Sequence, residues 1–272
     1  MVRAPRFEIR PGWAATLATA DLDQFQAWWT LRMDEVESGN QRRGGWSAVY
    51  RHHLGSGAAV FVKRQEDHVY RTAHHPLRGR LTGEREFRIL VRCHTADVAV
   101  AEPVLFATHT TDGHQRGILV TRELAGYRAL EDLSAQWQQH GWPSPQHRQR
   151  LLRAVAAAVG RLHALHLEHN CLYPKHIMVH TGWLAGEDAA GAAPVALIDL
   201  EKCKWRLRRL SCARRDLDAL NRHSHGWSRA DRRRFLGYYL AAEQRLNRPV
   251  RRLWRWIAQR SRDTERTVRR SA

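Results

Sequence analysis

Long apolar runs are missing from this chain of 272 residues. No segment approaches the roughly 20 apolar residues that a membrane-spanning helix needs, so none is expected. Residues 1–13 lack the apolar core of a secretory signal peptide. Cysteine is scarce: four residues, at positions 93, 171, 203 and 212, form no CxxC pair and no disulfide-framework spacing. A reduced, cytoplasmic setting is the expectation. The 17 histidines are scattered and no HExxH occurs, so no zinc site is expected. Acidic residues are also few, 27 against 45 Lys and Arg, for a net charge of +18. The imbalance is local: residues 202–272 hold 22 basic and six acidic side chains. Such a field suits an anionic partner such as a phosphorylated glycan or a membrane surface. Generic surface charge in an arginine-rich chain is the plainer explanation. Helix-turn-helix, RNP and zinc-finger signatures are all absent, so nucleic acid is not expected.

What is present reads as a small sheet followed by helices. The hydrophobic fraction, 43%, is enough for one large domain or two lobes. Residues 21–31 carry Phe25, Trp28 and Trp29 and read as a short amphipathic helix whose aromatic face is core. Residues 42–47, Arg-Arg-Gly-Gly-Trp-Ser, form a small-residue turn before a strand. Gly44, Gly45 and Ser47 there would let backbone N–H groups approach phosphates, or would serve as a turn alone. Residues 48–50 and 58–63 flank Gly55-Ser56-Gly57 as a hairpin. Lys63 ends the strand Val60-Phe61-Val62, as a phosphate-pairing lysine does; a solvent lysine would look the same. Residues 83–94 are helical, with Phe87, Leu90 and Val91 on one face. Glu86 on that helix can pair with Lys63 and aim it at the α- and β-phosphates of a nucleotide. Glu84 is a rival for that role. Arg64 points to the opposite face of the strand. A second hairpin over residues 103–121 completes a sheet of about five strands. Residues 122–127, with Glu123, then form a hinge-like segment whose backbone would meet adenine.

Helices are expected over residues 128–140 and 146–167. The stretch 165–202 follows and organises the chain. It runs Leu-His-Leu-Glu-His-Asn-Cys-Leu-Tyr-Pro-Lys-His-Ile-Met-Val, then a Gly/Ala-rich insert over 182–194 read as mobile, then Ala-Leu-Ile-Asp-Leu-Glu-Lys. A helix gives way to a polar loop, a short strand, and a second strand delivering one carboxylate. That is the layout of a kinase catalytic loop followed by its Mg²⁺-binding Asp. His169 and Asp199 fit it. Cys171 stands where the catalytic Asp is expected, and His176 where the Asn is expected. A new helix is expected from Asp216, with acids in its first turn. Helices over 229–247 and 249–260 close the chain. The expected class is α+β, a protein-kinase-like two-lobed fold with an N-lobe over residues 1–122 and a C-lobe over 123–272.

From residue 25 to about residue 239 the chain resembles the InaA-like branch of the lipopolysaccharide core (Kdo/heptose) kinase family. The motifs are Phe25…Trp28-Trp29, Arg42-Arg43-Gly44-Gly45-Trp46-Ser47, Val62-Lys63-Arg64, Arg85-Glu86, Leu119-Val120-Thr121…Ala125-Gly126, His169-Asn170-Cys171-Leu172-Tyr173-Pro174-Lys175-His176-Ile177, and Asp199-Leu200-Glu201-Lys202 with Arg206-Leu207-Arg208-Arg209. The resemblance implies phosphorylation of an inner-core sugar hydroxyl of a lipopolysaccharide glycolipid, with ATP and Mg²⁺. It implies Lys63 and Glu86 as the ion pair, Asp199 as metal ligand with His176 beside it, and Asp216 as a carboxylate bracing the loop. Cys171 departs from the family's carboxylate, and a thiol with a pKa of about 8.5 substitutes poorly for one. His169 is then either an alternative base or a structural brace. The alternative function is a nucleotide-binding pseudokinase that scaffolds or senses. Residues 247–257 place Val250, Leu253, Trp254 and Ile257 on one helical face and Arg251, Arg252 and Arg255 off it. That pattern suits the anionic inner-membrane surface, or a last helix packed on the core.

Overall fold

Alternating side-chain burial dominates the first half of the chain and helical periodicity the second. The computed structural model divides accordingly into two units. One comprises Met1–Thr95 with Ala101–Leu124, the other Ala96–Val100 with Ala125–Ala272. Residues 3–42, 44–55, 57–72, 75–187, 191, 193–242 and 255–259 are described.

The first unit contains β1 (Arg3–Ile9), α1 (Ala14–Thr19), α2 (Phe25–Thr30), β2 (Asp34–Arg42), β3 (Gly45–His53), β4 (Ala59–Glu66), β5 (Val69–Thr72), β6 (His75–Leu81), α3 (Thr82–Thr95), β7 (Pro103–Thr111) and β8 (His114–Arg122). Its main sheet has six strands in the order β1-β7-β8-β4-β3-β2, one more than expected. Of the two strands at its edges, β2 carries no hydrophobic alternation that announces it, and β1 alternates only over its last residues, with Phe7 and Ile9 against the core. β1 includes Pro5, whose missing N–H an edge strand tolerates. β2 is interrupted by register shifts on either side of Glu37. The β5–β6 hairpin was not anticipated either.

Trp13, Leu17, Leu22, Phe25 and Trp28 pack with Val60, Val62, Leu105, Ile118 and Val120 into one core. The expected helix over 21–31 is shorter, Phe25–Thr30, because Asp21 turns into the left-handed region at φ 55°. Trp28 is fully buried and donates its indole N–H to Leu22 O at 2.7 Å. Arg64 donates to the carbonyls of Trp28 and Leu31, on the face opposite Lys63. Phe87 of α3 stacks on Phe106 of β7.

The second unit contains β9 (Tyr127–Ala129), α4 (Leu130–His140), α5 (Pro145–Ala164), β10 (Leu167–Glu168), β11 (Ile177–His180), α6 (Thr181–Ala185), β12 (Val195–Leu197), β13 (Lys204–Trp205), α7 (Arg209–His223) and α8 (Arg229–Ala242). β12, β11 and β9 form a small antiparallel sheet, and β10 pairs with β13. α5 starts where Ser144 accepts from His147 N–H and Pro145 takes the first turn. It buries Leu151, Leu152, Val155, Val159 and Leu162. It stops short of residue 167, because Leu167 and Glu168 pair as a strand. The start of the Gly/Ala-rich insert is helical, as α6. Residues 188–190 and 192 lie outside the described residues.

α7 corrects a second expectation. It begins at Arg209, with no acid in its first turn, so Asp216 stands in mid-helix. Burial of Cys212, Ala213, Leu217 and Leu220 outweighs the dipole preference that suggested the later start. Most of the expected tail helix also lies outside the described residues, including Val250, Arg251, Arg252, Leu253 and Trp254. Within 255–259, Ile257 is buried and lines an apolar cavity of about 50 Å³ with Leu151, Leu217 and Phe235. Arg255 is exposed.

Candidate functional site

Strand alternation puts Lys63 and Gln65 on the same side of β4. Gln65 is buried; its carbonyl accepts from Gly83 N–H at 2.8 Å and its amide donates to Thr82 Oγ1 at 2.8 Å. These bonds hold the first turn of α3 against β4. One turn further along α3, Glu86 meets Lys63, with Nζ 2.9 Å from Oε2. The rival Glu84 is taken by Arg6, Arg80 and Arg88. Gln65 was not singled out from sequence; its spacing of two from Lys63 was the available signal.

Of the other first-unit candidates, Gly45, Ser47 and Glu123 are engaged with protein atoms. A Cβ on Gly45 would lie 2.3 Å from the Asp67 carbonyl carbon, so backbone packing accounts for that glycine. Gly44 has φ 83° and makes the turn. The Ser47 hydroxyl accepts from the Gln65 amide at 3.3 Å. Glu123 donates its N–H to Ala59 O at 2.9 Å and pairs its carboxylate with Arg51 at 2.8 Å. Its amide is therefore not free for an adenine ring.

In the second unit the loop after β10 is held from beneath. Asp216 is fully buried and accepts three hydrogen bonds: His169 N–H at 2.6 Å, Asn170 N–H at 2.8 Å and His163 Nε2 at 3.0 Å. A carboxylate can only accept, so His163 carries its proton on Nε2. Nδ1 then accepts from the Tyr239 hydroxyl at 2.8 Å. A chain of buried hydrogen bonds thus runs from α8 through α5 and α7 to the loop backbone. Only Asp216 was read from sequence; His163 and Tyr239 carry no motif. Tyr239→Phe would strand the His163 acceptor, at a cost of about 1–3 kcal/mol. Urea denaturation measures it, and an unchanged midpoint would rule out this role for the hydroxyl.

His169 has no exposed surface. Its Nε2–H donates to Ile198 O at 3.0 Å. Burial, ahead of any neighbouring charge, pushes its pKa down, so the ring stays neutral. This placement fits a brace, since the ring presents no edge to an acceptor hydroxyl. His176 is buried and donates Nδ1–H to Cys171 O at 2.8 Å. Its Nε2 faces Asp199 Oδ2 at 3.2 Å. With Nδ1 protonated, a neutral His176 turns a lone pair toward the carboxylate. Two electron-pair donors so placed share a proton or a cation. Asp199 is left-handed, φ 57°, which turns its half-exposed carboxylate out between β12 and the following turn. Mg²⁺ commonly takes one or two carboxylates and completes its shell with water and phosphate oxygens, so Asp199 fits it.

Cys171 is buried, and its carbonyl accepts from Tyr173 N–H at 2.8 Å. Burial first, and the Cys171 thiol second, hold the Tyr173 phenol above its ordinary pKa. The Tyr173 ring lies 4.3 Å from that of His223 and 5.6 Å from that of His176. Tyr173 belonged to the quoted motif but had no role assigned, and His223 was missed. The structure thus brings Lys63 to Glu86 in the first unit. In the second it brings His169, Cys171, His176 and Asp216 around one loop, with Asp199 against His176.

Known proteins share this fold. A profile described as the Lipopolysaccharide kinase (Kdo/WaaP) family matches residues 26–239. The chain is 32% identical to Protein InaA of Escherichia coli (strain K12) over 223 residues, 82% of this chain and 98% of that protein. It is 30% identical to the lipopolysaccharide core heptose(I) kinase WaaP of Pseudomonas aeruginosa over 179 residues, 64% of this chain and 63% of that one. A solved structure of WaaP in complex with acyl carrier protein superposes with a TM-score of 0.69 and covers 95% of this chain and 98% of its own, at 24% identity. The α+β, kinase-like fold expected from sequence is the one observed.

Proposed function

The chain belongs to the lipopolysaccharide kinase (Kdo/WaaP) family, and we propose that it transfers the γ-phosphoryl group of ATP to a sugar hydroxyl of the lipopolysaccharide inner core, on the cytoplasmic side. The Lys63–Glu86 ion pair, 2.9 Å long and largely shielded from water, supports this reading most directly. A lysine so held is a fixed cation suited to nucleotide phosphates. Asp199, with His176 beside it, would hold Mg²⁺, which neutralises charge on the transferring group. Asp216 and His169 would keep the loop in shape, and Cys171 with Tyr173 would border the acceptor. In a loose transition state, positioning and electrostatics carry most of the rate. A loop without its carboxylate can therefore still work, more slowly.

Cys171 also favours a second reading, a nucleotide-binding pseudokinase. Both readings require nucleotide, so binding is tested first. ATP with Mg²⁺ should raise the unfolding temperature of the wild type, and Lys63→Ala should lose most of that shift. Loss of one charge-assisted phosphate contact corresponds to about 1.5–3 kcal/mol, or roughly 10- to 150-fold in affinity. A wild type that ignores ATP would defeat both readings.

A further inference from the structure

Residues 202–209 read Lys-Cys-Lys-Trp-Arg-Leu-Arg-Arg. Three of the eight turn inward, among them Arg209, which donates to Ala164 O at 2.8 Å. Cys203 is buried, and Arg206 forms a two-bonded pair with the fully buried Glu168, at 2.6 and 3.1 Å. The chain is pinned further where Leu167 pairs with Trp205 and Glu168 with Lys204, and where Arg206 N–H reaches His166 O at 2.8 Å. The outward side chains are therefore held in place. Trp205 is 56% exposed and Leu207 75% exposed. Among the described residues, Val36 alone joins them as a large hydrophobic side chain so exposed. The same segment carries Lys202, Lys204 and Arg208, all exposed, none with an ion-pair partner among the described residues.

Cations alone would suit any polyanion. An indole and a leucine standing between cations suit a narrower partner: an apolar layer beneath a negatively charged one. That is the interfacial zone of an anionic bilayer, where Trp sits at headgroup depth and Lys and Arg lie over phosphates. Because the segment is already ordered, docking costs little conformational entropy.

We propose that residues 202–208 are a peripheral docking site for a bilayer rich in anionic phospholipid, with Trp205 and Leu207 entering the headgroup–acyl boundary and Lys202, Lys204 and Arg208 over the phosphates. This moves the expected membrane contact from the tail to an ordered surface segment. It does not depend on phosphoryl transfer, since its test reads binding and not turnover.

The experiment is vesicle sedimentation of the full chain at low and at high salt. The vesicles are phosphatidylcholine alone, and phosphatidylcholine mixed with phosphatidylglycerol. The wild type should bind the anionic vesicles at low salt, weakly at high salt, and the neutral vesicles poorly. Lys204→Gln with Arg208→Gln should weaken binding by about 25-fold, roughly fivefold for each charge. Trp205→Ser with Leu207→Ser should weaken it at least about tenfold. The charge variant should leave the unfolding temperature unchanged, because Lys204 and Arg208 are exposed; the Trp205/Leu207 variant gives up the stacking of Trp205 on His166 and should lower it only slightly, staying folded at the assay temperature. Arg229→Gln with Arg233→Gln, exposed on α8, is the control and should lose far less. Equal binding to both vesicles, no binding at low salt, an unaffected Trp205/Leu207 variant, or a control that loses as much would each overturn the proposal.

Discussion

Asp199→Ala should reduce transfer of label from ATP to a deep-rough lipopolysaccharide acceptor to background, a fall of at least about 10²-fold. The carboxylate is the half-exposed oxygen donor of the His176–Asp199 pair, 3.2 Å from Nε2. Phosphoryl transfer depends above all on electrostatic stabilisation, so loss of a metal-holding carboxylate should be felt in the rate. Cys171→Ser should retain much of the activity, because a thiol contributes little as a base at neutral pH. Cys171→Asp restores a carboxylate on a loop whose backbone is already held, and a gain of up to about 10²–10⁴-fold is the general-base range. Full activity in Asp199→Ala would end the assignment of the metal ligand. No transfer by either the wild type or Cys171→Asp, with ATP still bound, would leave the pseudokinase reading.

The second large effect is on stability. Asp216→Ala removes the acceptor for two backbone N–H groups and for His163 Nε2, all in a site without solvent. Breaking a buried polar network by deleting one partner costs about 3–5 kcal/mol. For a chain of this size that corresponds to a fall of roughly 6–20 °C in unfolding temperature. Asp216→Asn keeps one acceptor oxygen and should lose less. A loss below about 1 kcal/mol in Asp216→Ala would show that the loop does not depend on this carboxylate. Measured together, the two variants separate roles: Asp199→Ala should spare stability and Asp216→Ala should not.

Much of this site was legible because its signals are local. An apolar strand leading into Lys63, a Glu four residues beyond the start of α3, and the order of loop, strand and Asp199 are all short-range patterns. The choice between Glu84 and Glu86 was not local. It depended on which arginines reach Glu84, and Arg6 comes from a strand 78 residues away.

By itself, the sequence determined the class of fold, the succession of sheet and helices, the Lys63 strand, and the loop with its unusual Cys171. Side-chain periods of two and 3.6 residues encode these directly. Only the tertiary structure decided the sixth strand of the sheet, the mid-helix position of Asp216, the burial of His169, and the chain of bonds from Tyr239 through His163. Tyr239 lies 76 residues from His163, and Asp216 lies 53 from it. The reason is physical. An edge strand and a buried hydrogen bond are each completed by a partner distant in sequence, and only packing chooses that partner.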